Sequence, residues 1–77
     1  MTQPTQQEIT DSAYMRQALA LAEKAAAANE VPVGALVVLD NTIIGQSHNQ
    51  TISACDPSAH AEVLAIREAA TAHYAWL

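Results

Sequence analysis

The sequence predicts an α/β unit in the order helix, strand, strand, helix. Three observations predict it. An alanine-rich stretch carries apolar residues at three- and four-residue intervals, a short unbroken apolar run returns across Asp-Asn as a second β-branched run, and another periodic stretch follows Asp-Pro. A hairpin between two helices does not close a core by itself, so the pattern reads as the first half of a larger α/β layer.

Residues 1–10, "MTQPTQQEIT", are polar and read as a flexible tail, leaving 11–77 as the ordered part. Asp11 or Ser12 is the expected cap of the first helix, which should run to about Ala28 and stop at Asn29. Met15, Ala18, Leu19, Ala22 and Ala26 make its expected apolar face, with Arg16, Glu23 and Lys24 off the stripe.

"VPVGALVVL" (31–39) is apolar almost throughout, which suits a strand covered on both faces. Gly34 marks a point of close backbone approach. Asp40-Asn41 is a two-residue turn signal, and "TIIGQS" (42–47) is the returning strand, with Gly45 bulging or ending it. "HNQTISAC" (48–55) has no clear period and reads as a loop. Asp56 as cap and Pro57 at the first helical position open the last helix, expected to reach about His73 with Val63, Leu64, Ile66 and Ala70 buried.

Composition narrows the function classes. A chain of 77 residues is at most one small domain and buries only about 60% of its unfolded surface. Cys55 is its single cysteine, so no disulfide forms within it, which fits a reducing cytosol. The N-terminus lacks a signal-peptide layout, and no apolar run approaches the roughly 20 residues of a spanning helix. A soluble cytoplasmic protein without membrane contact is expected. Net charge is −5, with only Arg16, Lys24 and Arg67 basic, which is not the clustered positive charge of a phosphate-binding surface.

His60 and Glu62 are the candidate chemical pair. A His two residues before a Glu is weak evidence alone: in mid-helix the two point about 200° apart, and a carboxylate near a helix N-terminus already suits the macrodipole. Location strengthens the pair, because both fall at the start of the last helix and can flank one site. Neutral imidazole is a zinc ligand, zinc makes water a hydroxide source near neutral pH, and an unligated carboxylate beside it can move the proton. Three protein ligands are needed, and this helix supplies one.

"EVPVGALVVLDNTIIGQSHN" followed by "DPSAHAEVLAIREA" closely resembles the bacterial tRNA-specific adenosine deaminases, a family of the cytidine-deaminase-like zinc superfamily with the signature His-x-Glu…Pro-Cys-x-x-Cys. The resemblance runs from about Ala13 to Ala70. It implies the N-terminal half of a three-layer α/β/α cytidine-deaminase-like fold. It implies further that His60 is a ligand of Zn²⁺, that Glu62 is the proton shuttle and no ligand, that Asn49 hydrogen-bonds the bound nucleoside, and that the Ala61 backbone faces the base. The implied reaction is hydrolytic attack on C6 of adenine, turning the wobble adenosine of a tRNA anticodon loop into inosine, in a homodimer. The Pro-Cys-x-x-Cys element is missing from the fifteen residues after Glu62, and Cys55 stands before the His, so two of three zinc ligands are absent. The expectation is an N-terminal portion of such an enzyme, cut before that element, inactive and a poor zinc binder alone.

Other residues read plainly: His48 as a solvated loop histidine, His73 as a partner of the helix C-terminus, Cys55 as a spectator thiol, and Tyr74 and Trp76 as packing residues for other segments or free ends. Two alternatives stand beside the tRNA reading. One is a guanine, cytosine or riboflavin-pathway deaminase of the same superfamily. The other is a noncatalytic module that associates through its sheet edge.

Overall fold

The computed structural model describes residues 3–74. Helix α1 (Gln6–Ala27) leads into strand β1 (Gly34–Leu39), which pairs antiparallel with β2 (Thr42–His48), and helix α2 (Ala61–Tyr74) follows a loop. The expected order of elements holds. Several boundaries do not.

Helix α1 begins at Gln6, inside the segment read as tail. Thr5 caps it: its hydroxyl accepts the Glu8 N–H at 3.1 Å. Thr-x-x-Glu is a capping-box pattern, and with Thr5 satisfying the Glu8 N–H the helix starts well before Asp11-Ser12. The helix ends as expected at Asn29, whose φ of 61° places it in the left-handed region. Glu30 N–H bonds the Ala25 carbonyl at 2.9 Å and Asn29 N–H bonds that of Ala26 at 3.0 Å, a complete Schellman closure.

The hairpin turns through Asp40 (φ 49°) and Asn41 (φ 62°), both left-handed, as a two-residue turn between right-twisted strands demands. Val38 pairs with Ile43 and Val37 with Gly45, so Ile44 is the extra residue of a bulge beside the glycine. β1 starts only at Gly34, because Val31–Val33 form a turn in which Val33 N–H bonds the Val31 carbonyl at 2.8 Å.

The helices cover opposite faces of the hairpin and do not touch each other, giving three layers, α/β/α. Glycines set both contacts. A Cβ on Gly34 would collide with the Ala18 carbonyl and lie 2.7 Å from Ala22 N, so α1 rests directly on that backbone. A Cβ on Gly45 would collide with the Ala65 carbonyl and lie 3.0 Å from the Ala69 Cβ.

These contacts correct the expected helix faces in part: Ala18 and Ala22 do meet Gly34, and Val63 and Leu64 are half-buried, but the most buried positions lie elsewhere. On α1 the buried residues are Leu21 and Ala25, while Met15 and Leu19 are 62% and 56% exposed. On α2 the buried ridge is Ala61, Ala65 and Ala69, and Ile66 is 59% exposed. Close approach to a glycine selects small residues, and a longer side chain there would push the helix off the sheet. The buried apolar set among the described residues is therefore mostly alanine. Grooves remain on both faces, one of about 340 Å³ lined by Val37, Ile44 and Ile66, another lined by Tyr14, Met15 and Leu36.

Candidate active site at the start of helix α2

The last helix begins at Ala61, five residues beyond the expected Asp56 cap. Asp56-Pro57 instead occupies the first half of a turn: Ala59 N–H bonds the Asp56 carbonyl at 3.0 Å, and the Asp56 carboxylate accepts from Ser58 N at 2.9 Å and Ser58 Oγ at 2.7 Å. Those Ser58 bonds, the hydroxyl first, hold the Asp56 carboxyl below its ordinary pKa. Aspartate before proline suits a turn as well as a helix start, and here the side chain closes the turn.

The shift puts the chemical pair closer to the helix end. His60 carbonyl accepts the first helical bond, from Leu64 N–H at 3.0 Å, so His60 is the cap residue itself. Ala61 is the first helical residue and Glu62 the second. His60 and Glu62 are exposed, while Ala59 and Ala61 are almost wholly buried, at 1% and 0%. Two exposed titratable side chains thus alternate with backbone that is locked into the protein.

Asn49 does the locking. It follows β2 directly, is 4% exposed, and its Oδ1 accepts the Ala61 N–H at 2.7 Å. Only the oxygen of the amide can take a backbone N–H, so its orientation is settled by chemistry. The Nδ2 group makes no hydrogen bond among the described residues and is not wholly sealed from solvent, so its two donors are unused there. Asn49 is fixed in turn by its own N–H, which bonds the Val33 carbonyl at 3.1 Å. Of the sequence candidates, Asn49 and Ala61 are therefore in contact, with His60 and Glu62 exposed on either side of Ala61 in the chain.

His48 is the last residue of β2, half-buried, with Nδ1 3.2 Å from the Asn49 carbonyl, and is not a solvated loop residue. Cys55 is exposed, at a left-handed φ of 51°, as a spectator thiol would be. The side chains of His73 and Tyr74, and all of Trp76, lie outside the described residues.

Glu30 is the residue that sequence reasoning missed. Its side chain is buried (5% exposed) yet bonds four times to the loop: Oε1 accepts from Ile52 N at 2.9 Å and Thr51 Oγ1 at 3.3 Å, and Oε2 from Ile52 N and Ser53 N at 3.1 Å each. The Ile52 N–H bond, then those from Ser53 and Thr51, holds its carboxyl below the ordinary glutamate value, against the opposing effect of burial. No periodicity marks such a residue, since its partners lie 21 to 23 positions away.

Imidazole at an exposed helix cap has the right chemistry for one zinc ligand. Among the described residues no group of three His, Cys, Asp or Glu side chains is placed to hold a metal. A catalytic zinc takes three protein ligands. These residues fit one corner of such a site and do not make it.

A family model described as the cytidine and deoxycytidylate deaminase zinc-binding region matches residues 8–76. The chain belongs to that family. Among the relatives, the tRNA-specific adenosine deaminase of Haemophilus influenzae is 51% identical over 61 residues, 78% of this chain and 35% of that protein. The chloroplastic tRNA(adenine(34)) deaminase of Arabidopsis thaliana is 46% identical over 66 residues, 86% of this chain and 5% of that protein. A solved structure from studies of A-to-I editing by tRNA:A34 deaminases at the wobble position of transfer RNA superposes with a TM-score of 0.80, at 41% identity, covering 83% of this chain and 49% of its own. The chain thus spans about a third of its bacterial deaminase relative and about half of that structure. Among the described residues no helix is long and apolar enough to cross a membrane.

Proposed function

We propose that this chain forms the α1-to-α2 part of a zinc-dependent hydrolase that converts adenosine to inosine at the wobble position of a tRNA anticodon loop. The carrying observation is the bond from Ala61 N–H to Asn49 Oδ1, which ties a nucleoside-facing amide to the His60-Ala61-Glu62 turn. The names of the relatives support the substrate, since the matched proteins from Haemophilus influenzae and Arabidopsis thaliana are both tRNA deaminases.

In this reading Asn49 Nδ2 donates to the nucleoside, and Ala61, wholly buried behind it, holds the Asn49 amide in place rather than touching the base. His60 is one ligand of zinc, and the other ligands come from outside the described residues. Zinc, when bound, supplies a water acidified to near neutral pKa. Glu62, unligated and exposed beside His60, takes a proton from water, passes it to the adenine ring, and then transfers a proton to the departing ammonia. Atoms balance as adenosine plus water giving inosine plus ammonia. With three basic residues against eight acidic ones, this segment reads the base, and phosphate contacts fall to other parts of a cytoplasmic homodimer.

The test is deamination by the full-length protein of an anticodon stem-loop bearing a wobble adenosine, set beside free guanine and cytosine. Inosine from the stem-loop alone is expected. Turnover of a free base with the stem-loop untouched would overturn the tRNA reading.

A further inference from the structure

The loop between β2 and α2 is not irregular. Ala54 N–H bonds the Gln50 carbonyl at 2.8 Å, Asp56 N–H that of Thr51 at 3.0 Å, and Cys55 N–H that of Ile52 at 3.0 Å. With Cys55 left-handed, this is one helical turn closed by a Schellman motif. A helical turn leaves its first N–H groups without partners. Here those of Ile52 and Ser53 point at the Glu30 carboxylate, which caps the turn from a distant part of the chain.

We propose that Glu30 is a positioning residue for Asn49, and through it for the nucleoside side of the site. The loop is anchored at three points. Gln50 N–H bonds the Ala59 carbonyl at 2.9 Å and joins its two ends, Asn49 N–H bonds the Val33 carbonyl at 3.1 Å, and Glu30 holds the turn that follows. Glu30 and Val33 belong to the same short segment, and the Schellman closure of α1 through Asn29 fixes where that segment leaves the helix. Residues 30–33 therefore hold Asn49 directly through Val33 and hold the turn just after it through Glu30. The Asn49 side-chain oxygen makes the contact that orders Ala61. The helix end of α1 is thereby connected to the start of α2 through backbone hydrogen bonds and the Glu30 and Asn49 side chains, although the two helices never touch. The consequence for substrate rests on the deaminase reading above, whereas the consequence for Asn49 and Ala61 does not.

Glu30→Gln keeps the volume and one acceptor oxygen but sets an amide N–H₂ against the Ser53 N–H. Glu30→Ala removes the cap. Glu23→Gln, on the exposed side of α1, is the control. In the full-length protein, amide hydrogen exchange at Ile52, Ser53 and Ala61 is compared with that of Leu36 in the strand ladder, zinc content is measured, and inosine formation is resolved into kcat and KM. Glu30→Gln is expected to speed exchange about tenfold at all three amides relative to Leu36, to raise KM about tenfold with kcat nearly unchanged, and to leave zinc content as in the parent. Faster exchange at Ile52 and Ser53 with Ala61 and KM unmoved would overturn the proposal, leaving Glu30 a local cap. Should the parent protein form no inosine, the deaminase reading fails, and Ala61 exchange alone decides the role of Glu30. If Glu30→Ala does not fold, Glu30→Gln carries the test.

Discussion

Asn49 Oδ1 and the Ala61 amide nitrogen lie 2.7 Å apart, buried, although the two residues are twelve positions apart in sequence. The first amide of a helix usually faces water or the side chain of a neighbouring cap. Here it faces a side chain from the end of the preceding strand, so α2 starts only where Asn49 lets it start. Asn49→Ala would strand that N–H in a buried position, at a cost of about 1–3 kcal/mol. Asn49→Asp keeps the acceptor and adds a charge that suits a helix N-terminus, yet loses both Nδ2 donors. Denaturant melts should therefore show Asn49→Ala destabilised and Asn49→Asp near the parent, while both lose nucleoside binding, read as a raised KM. Equal stability of the two variants would show that the bond to Ala61 contributes little.

Gly45 is the corresponding fixed point on the sheet. A methyl group there meets the Ala65 carbonyl and comes within 2.9 Å of Ala69 N, and backbone does not move aside as a flexible side chain would. Gly45→Ala is expected to destabilise by about 1–3 kcal/mol or more through overpacking. Because α2 carries His60 and Glu62 at its start, the shift should also lower activity in the fraction that stays folded. A urea midpoint unchanged from the parent would contradict the packing seen here.

Acid should loosen the loop before it unfolds the rest. Glu30 has a folded pKa below its unfolded value, so its contribution is complete above the ordinary glutamate range, about 4.3, and disappears as pH falls through the folded value. Asp56 shifts in the same direction through Ser58 and adds to the effect. Exchange at Ile52 and Ser53 should accelerate as pH falls below about 4, once corrected for intrinsic rates, and Glu30→Gln should remove most of that dependence. Protection in the parent that stays flat through this range would contradict it.

Short-range chemistry was the legible part of this fold. Asp40-Asn41 and Asn29 announce themselves because few residues other than glycine accept a left-handed φ, and each sits at the predicted turn or stop. Asp56-Pro57 was ambiguous because the same dipeptide serves a helix cap and a β-turn, and only Ser58 hydrogen bonding decides between them. The helix faces are legible only in part: Ala18 and Ala22 meet Gly34 as their spacing predicts, whereas Met15, Leu19 and Ile66 fit the same periodicity yet are exposed, because contact with Gly34 and Gly45 rewards the smallest side chains. Thr5-x-x-Glu8 lies among polar neighbours that read as tail, and only the Glu8 N–H bond to Thr5 marks it as the cap. Asn49, His60, Ala61 and Glu62 could be named from the family pattern, and the structure shows what seats them. Glu30 had no local signal, because a carboxylate that caps a turn more than twenty residues away is a tertiary event.

His60 and Glu62 sit one residue either side of the locked Ala61, and the proposed chemistry gives them separable duties. His60→Ala would remove an imidazole from an exposed cap, where the backbone carbonyl, not the ring, accepts the Leu64 N–H, so the fold should tolerate the loss. Zinc content of the full-length protein should fall with it, and activity should follow the metal. Glu62→Gln keeps the size of an exposed side chain and deletes the proton acceptor. Zinc should remain while inosine formation falls by about 10²–10⁴, the usual contribution of a positioned acid–base group. Metal analysis alongside the deamination assay distinguishes the two. Zinc lost from Glu62→Gln, or activity retained by it, would remove the carboxylate from the role of proton shuttle and return the pair to an ordinary helix end.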